Sequence, residues 1–484
     1  MSQNQSRSHS KRSQKNTRRQ TKKKFEAKRK KTRNRDCMKL ALKTFFDRSS
    51  LLSEYEFNGN IKWQANDMAQ LGLLFSWSEK KCVTDAFNEL VKRSGKLGIP
   101  MIHTTYQGFI GALTNYVHLF MPALILLLQQ LLERSAGKFW RTAGFVAIAF
   151  DGSRESAPRT ASNEQALCSS KSLAKRAVAD EYDATTHPQP QIWITMLWHM
   201  GTRLPWNWCL GPSDSSERHH VMEMISQWAF PPKTLFCGDA GFVGYEFWKS
   251  IIDEGHDFMV RVGSNVHLLG NQIGYATESG GEVLCWPKDK QGKCPPLKLR
   301  LAQVTIGKTK VYLLTSVLDS SELDREAMIE LYKLRWGIEV EFRGLKQTLN
   351  GSKLRCRNAE RAYTELHYSI LAMAVAETLA TREQIATKSA AKTYTPKDRS
   401  LANIMRAIYD CLDELNEPVP QDSQLSKRLD QALTDNYQRK YSKQARYRPP
   451  TDERKKKKVG KPKIRKMEPS EKENLEKQQC KIGT

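Results

Sequence analysis

Two aspartates stand where apolar runs stop. The stretch AGFVAIAFDGSRES, Ala143 to Ser156, is apolar from Phe145 to Phe150 and then meets Asp151-Gly152; KTLFCGDAGF, Lys233 to Phe242, repeats the arrangement at Gly238-Asp239. Each run reads as a buried strand that ends on a carboxylate. Asp-Gly is also an ordinary way to turn a chain after a strand, so neither aspartate argues for chemistry alone. In an open sheet whose strands feed helices, however, residues just past the carboxyl ends of neighbouring strands converge on one crevice. Two carboxylates there, joined by a third oxygen ligand, would suit Mg²⁺, which takes carboxylates, phosphate oxygens and water.

The third ligand has a candidate on a helix. SSELDREAMIELYKLRWGIEVEFRGLKQTLNG, Ser320 to Gly351, predicts one long helix, from a capping box at Ser321 with Asp324 to a stop at Asn350-Gly351. At about 100° per residue, Tyr332, Arg335, Glu339 and Lys346 fall within a stripe roughly 60° wide. Leu331, Leu334, Ile338, Phe342 and Leu345 form an adjacent apolar face that would hold the helix against the sheet. The polar stripe is either a set of groups facing the crevice or an exposed face on which Glu339 pairs with Arg335 or Arg343. Glu341 is rotated by about 200° from Glu339 and is expected on the far side, with at most a surface ion pair.

The elements that must position these groups follow in order. Cys37 to Trp140 is helical in pattern, with apolar residues recurring at three and four in MKLALKTFF, NDMAQLGLLF and TDAFNELVKR. Phe109 to Leu132 approaches the length of a membrane span, but Asn115, His118, Pro122 and Gln129-Gln130 interrupt it, which favours a buried helix. After the strand at Asp151 comes a polar stretch to His187-Pro188. QIWITMLWHM and RLPWNWCLG then read as a hairpin, SDSSERHHVMEMISQW as a serine-capped helix, GYEFWKSII as a helix and DFMVRV as a strand. Gly263 to Lys310 turns to Gly, Pro, Lys and short β-like runs, an inserted β-rich piece, before KVYLLTSV returns to strand. Strands and helices in this order imply a mixed sheet with helices packed against it.

The chain has 484 residues and a net charge of +26, and the charge is concentrated at its ends. Residues 1–36 carry 15 Lys/Arg against Glu26 and Asp36, and 439–466 carry 14 against Asp452 and Glu453. Both ends have too few apolar residues to pack and read as disordered arms that would follow a phosphate backbone, which makes nucleic acid the leading partner. The charge alone would equally serve a solubilising tail. Ten cysteines without a CxxC pair, and an N-terminus without a signal-peptide core, point to the cytoplasm, at the nucleoid for a DNA-binding protein.

Asp151-Gly152-Ser153, then GDAGFVGYEFW from Gly238 to Trp248, then Tyr332-x2-Arg335-x3-Glu339-x6-Lys346 resembles the bacterial insertion-sequence DDE transposases with the YREK signature. The motifs keep that family's order, with 88 residues from Asp151 to Asp239 and 100 from Asp239 to Glu339. The similarity runs from about Ala143 to Ala380 and leaves the tails and the helical segment unmatched.

The resemblance implies a ribonuclease H-like α/β core interrupted by a β-insertion. Asp151, Asp239 and Glu339 would be the catalytic, metal-binding triad for two Mg²⁺ ions, with Mn²⁺ able to substitute. Tyr332, Arg335 and Lys346 would grip DNA phosphates, Arg335 as a fork and Lys346 as a point charge, and Arg261 at the end of DFMVRV could contact DNA. Trp286 could stack on a displaced base or sit in a β-core. The implied activity is cleavage at transposon ends and 3′-OH strand transfer into target DNA, by a homodimer in the DNA complex and without a membrane. A nuclease without strand transfer and a non-enzymatic DNA-binding descendant are the competing readings. The expected organisation is a basic arm (1–36), a helical DNA-binding domain (37–140), a core in two parts (141–262 and 311–380) around an inserted β-rich subdomain (263–310), a helical region (381–438) and a basic disordered tail (439–484).

Overall fold

The computed structural model describes residues 32–46, 52, 61–169, 189–270, 276–277, 279–349, 354–388, 394–434 and 460–482. The helical pattern of the first third becomes α1 (Asn34–Phe46), α2 (Ala65–Ser76), α3 (Val83–Leu97) and the long α4 (Tyr106–Ala136). The run Tyr106–Phe139 is long and apolar enough, by length and composition, to cross a membrane. Here α4 packs along a later helix, Ala359–Lys388, and the Gln129 amide donates to the Trp206 carbonyl.

Next come β1 (Val146–Ser156), α5 (Ala161–Leu167), β2 (Gln191–His199), β3 (Leu204–Gly211), α6 (Glu217–Gln227), β4 (Thr234–Gly238), α7 (Tyr245–Asp253) and β5 (Asp257–Val262). These are followed by β6 (His267–Gly270), β7 (Gly281–Cys285), β8 (Leu297–Ile306), β9 (Thr309–Thr315), α8 (Arg325–Arg335) and α9 (Gly337–Gly344). A π-helical turn, Leu345–Leu349, leads on to α10 (Ala359–Lys388), α11 (Leu401–Asp413), α12 (Leu425–Asp430), β10 (Lys463–Arg465) and α13 (Pro469–Ile482).

All ten strands share one sheet in the order β10-β6-β7-β8-β9-β5-β4-β1-β2-β3. β1, β2 and β3 form an antiparallel meander, and β4 and β5 run parallel to β1. This five-strand order is the ribonuclease H-like arrangement expected. The β-rich stretch expected as a separate insertion instead extends the same sheet, because β9 pairs with both β5 and β8. Part of the expected disordered tail is likewise ordered: β10 adds a strand beside β6, and the Arg465 guanidinium holds the buried Glu471 at the start of α13. Residues 439–459 and 483–484 of that tail, the arm over 1–31 and residues 170–188 of the polar stretch lie outside the described residues, while the start of that stretch forms α5.

Strand alternation divides the core into two layers. Val146, Ile148 and Phe150 of β1 join Phe236, Phe258 and Val260 on the face covered by α6 and α7. Ala147 and Ala149 join Leu235, Cys237 and Met259 on the opposite face, with the N-terminal helices and α8 to α10. Small alanines on that second face let the covering helices approach. Helix α10 is buried almost without interruption from Ala362 to Ala380, and α2 crosses it at Gly72, where a Cβ would lie 2.3 Å from the Tyr368 ring.

The long helix predicted from Ser321 is two helices. Asp324, not Ser321, caps α8, its side chain accepting from the Ala327 amide at 2.7 Å. The break falls at Trp336. A Cβ on Gly337 would come within 2.1 Å of the Trp198 ring and 2.9 Å of the Arg203 guanidinium. Glycine is therefore required where the chain presses against β2.

Candidate active site

Asp151 does not end its strand. β1 continues to Ser156, and Asp151 pairs across β2 with Met196. What ends near it is the other neighbour: the pairing of β1 with β4 reaches only Ala149 opposite Cys237. Asp151 lies two residues beyond that last pair on β1, and Asp239 follows the last residue of β4, close enough for its charge to act on Asp151. By alternation the Asp151 carboxylate leaves the sheet on the face of Ala149, toward α8 and α9. The Gly152 amide donates to Asp151 Oδ1 at 2.9 Å and the Gly241 amide to Asp239 Oδ1 at 2.7 Å. The turn-type hydrogen bonding weighed for an Asp-Gly pair is therefore present, without the turn at Asp151.

From the facing helices, Arg335 enters at the end of α8 with only 3% of its surface exposed. Its Nη1 lies 4.0 Å from Asp151 Oδ2, and its guanidinium lies 5.5 Å from the Tyr332 ring and 5.1 Å from the Trp336 ring. Its Nε has no hydrogen-bond partner among the described residues. Tyr332 is itself buried under that guanidinium, so as the site stands it supports Arg335 rather than offering a surface to DNA. One turn on, exposed Glu339 lines a cleft of about 380 Å³ with Asp151, Gly152, Ser153, Phe342, Arg343, Lys346 and Gln347. Lys346 Nζ donates to Ser153 Oγ at 2.8 Å. The stripe thus converges, although its helix is broken.

Arg261 follows Val260, the partner of Gly238, so it stands beside Asp239 on β5 and, by alternation, on the same sheet face. It is half-buried. Trp286 belongs to the core of the extended sheet, 3% exposed, with Nε1 donating to the Cys294 carbonyl at 2.8 Å.

Two acids of the site went unrecognised in the sequence. Glu155, two places beyond Ser153 on the same strand face, is 1% exposed; burial pushes its carboxyl up to about 7 against the pull of Lys346. Glu217 opens α6 and lies against the backbone of Gly152, where a Cβ would meet its Oε1 at 2.2 Å. Burial pushes Glu217 up to about 7, and the charges of Asp151 and Asp239 add to the shift. An acid in a helix's first turn is ordinary dipole complementarity, so sequence carries no signal for such a role.

Burial raises Asp151 to about 6; the Gly152 amide and Arg335 oppose this, and Asp239 and Glu339 add to it. Carboxylates gathered at one cleft are the donor chemistry of a hard divalent cation. Among the described residues, no three Asp, Glu, His or Cys side chains already stand at ligating distance of one another. The donor set fits a hard cation in type, and holding one would require side-chain movement.

Glu341, expected at the surface, is buried on the opposite side of α9. Burial and the adjacent Glu377 hold it well above the usual carboxylate range, and Arg399 opposes them. Arg399 Nε pairs with Glu377 Oε1 at 3.0 Å. The helix phase separating Glu339 from Glu341 holds, but what lies on the far side is protein.

Residues 178–375 match the family model described as the transposase DDE domain. The match takes in Asp239, Glu339 and the Tyr332, Arg335, Lys346 set, and starts after Asp151. A cryo-EM structure of the piggyBac transposase synaptic complex with hairpin DNA aligns at a TM-score of 0.38 and 13% identity, over 82% of this chain and 85% of that one. No curated protein matches the chain. The domain match supports a DDE transposase.

Proposed function

We propose that the protein is a DNA transposase of the bacterial insertion-sequence, YREK-signature type, which cuts the ends of its element and joins the freed 3′-OH to target DNA. The observation that supports this reading is that Asp151, Glu339 and Lys346 line one cleft, with Arg335 4.0 Å from Asp151 and with β4, which Asp239 follows, running parallel to β1 beside it. Asp151, Asp239 and Glu339 would hold Mg²⁺, or Mn²⁺ in its place; a bound pair would supply the Lewis acidity that activates water or a 3′-OH and stabilises the departing oxygen.

The chain's own residues do the rest. Buried Arg335, with an unpaired Nε, is set to fork onto a phosphate oxygen, and Tyr332 stiffens it from below. Lys346 supplies a point charge at the cleft edge and Arg261 a second one beside Asp239. The basic arms would follow the duplex electrostatically, and two copies, acting at the nucleoid, would hold the two ends of the element.

The test is a labelled element end incubated with the full chain, plasmid target and Mg²⁺. Strand-transfer products that vanish without the cation support the reading. Nicking without joining would make the protein a nuclease, and binding without cutting would make it a DNA-binding descendant.

A further inference from the structure

The cation reading accounts for three acids, yet a fourth reaches the same place from the other side. Glu217 is the first residue of α6, fixed there by Ser216, whose side chain accepts from the His219 amide. Its carboxylate lies over Gly152, the residue after Asp151, in space that any other residue at 152 would fill. It is half-buried, and the charged groups acting on it are Asp151, Asp239 and, in the opposite sense, Arg154. Arg154 is itself drawn 4.2 Å over the Trp193 ring, and no hydrogen bond or ion pair between it and Glu217 occurs among the described residues. On the Asp151 side, the buried Arg335 Nε, a donor without a partner among the described residues and on a guanidinium 4.0 Å from Asp151, leaves room for an acceptor such as a phosphate oxygen beside the acids.

We infer that Glu217 is a fourth acidic side chain of the cation-binding crevice, setting divalent-cation affinity together with Asp151 and Asp239. The inference rests on the proposed reading of those two aspartates. A carboxylate held against the backbone beside a metal ligand orients the ligand and the cation's water shell. Loss of such a partner typically costs about 10- to 100-fold in metal affinity. A purely structural Glu217 would instead complement the N-terminal dipole of α6, a role any acid there fills.

Mn²⁺ binding to the full chain without DNA, followed by electron paramagnetic resonance, separates the two roles. Asp239→Asn should weaken binding. Glu217→Gln should weaken it by about tenfold, with a thermal midpoint close to the parent's. Glu217→Asp, which keeps the helix-end charge and withdraws the carboxylate by one methylene, should weaken it as well and serves if the glutamine variant does not fold. Parent-like affinity in both Glu217 variants, or full recovery with aspartate, overturns the inference while Asp239→Asn still preserves the cation reading. If Asp239→Asn binds Mn²⁺ as the parent does, the cation reading falls and the inference with it.

Discussion

Helix α9 has acids on both sides, and the two sides treat negative charge in opposite ways. On one side Glu339 is exposed over a cleft shared with Asp151, Arg343 and Lys346, and the buried Arg335 lies 4.0 Å from Asp151. On the other side Glu341 and Glu377 are buried with Arg399, which also donates to the Thr202 and Arg203 carbonyls and the Thr381 hydroxyl. The second cluster keeps its charges within the protein, Arg399 pairing with Glu377 while Glu341 Oε1 and Glu377 Oε2 have no hydrogen-bond partner among the described residues. The first faces an open cleft, where its carboxylates are accessible to a cation.

The internal cluster should therefore fail through stability. Arg399→Ala leaves Glu377 and Glu341 buried without their cation and should cost about 3–5 kcal/mol, read from the urea midpoint. An Arg399→Ala protein as stable as the parent would show that the cluster does not close its own charge.

Lys346→Ala sharpens the open side. It removes a point charge from the cleft edge and the donor to Ser153, but no oxygen ligand. Binding of element-end DNA should weaken by about tenfold while Mn²⁺ affinity stays within about twofold. Equal losses in both would place Lys346 in the cation site instead.

The smallest effect belongs to Glu341→Gln. The carboxyl is held above 4.5 in the fold, so the folded state binds more protons than the unfolded one once pH exceeds that value. The parent's stability should then fall as pH rises from about 4.5, and the amide should remove that slope, leaving the variant within about 1 kcal/mol of the parent near neutrality. Identical pH profiles for parent and variant would show that Glu341 is ionised in the fold.

Much of this arrangement was legible in the sequence because periodicity reports phase. The strands around Asp151 and Asp239, the hairpin at Gln191–Gly211 and the relative phase of Glu339 and Lys346 all follow from spacing. Periodicity does not report what covers a face. Glu341 was expected in solvent and meets Glu377, a residue of α10 nearly 40 positions away. Asp151-Gly152 reads as a turn because glycine is rare inside strands, whereas here glycine makes room for Glu217. Gly337, just past the break in the predicted helix, is likewise a glycine for a reason that lies in β2. Each miss comes from a tertiary contact that no local window contains.

The contrast across α9 can be tested in one experiment: cleavage of the same element end, in Mg²⁺, by Glu339→Gln and Glu341→Gln. Both replace one glutamate oxygen by an amide on the same helix, two residues apart. The account predicts that Glu339→Gln loses cleavage by about 10³-fold or more with end binding retained, because a carboxylate ligand is gone, and that Glu341→Gln cleaves within a few-fold of the parent. A dead Glu341→Gln, or an active Glu339→Gln, would contradict it.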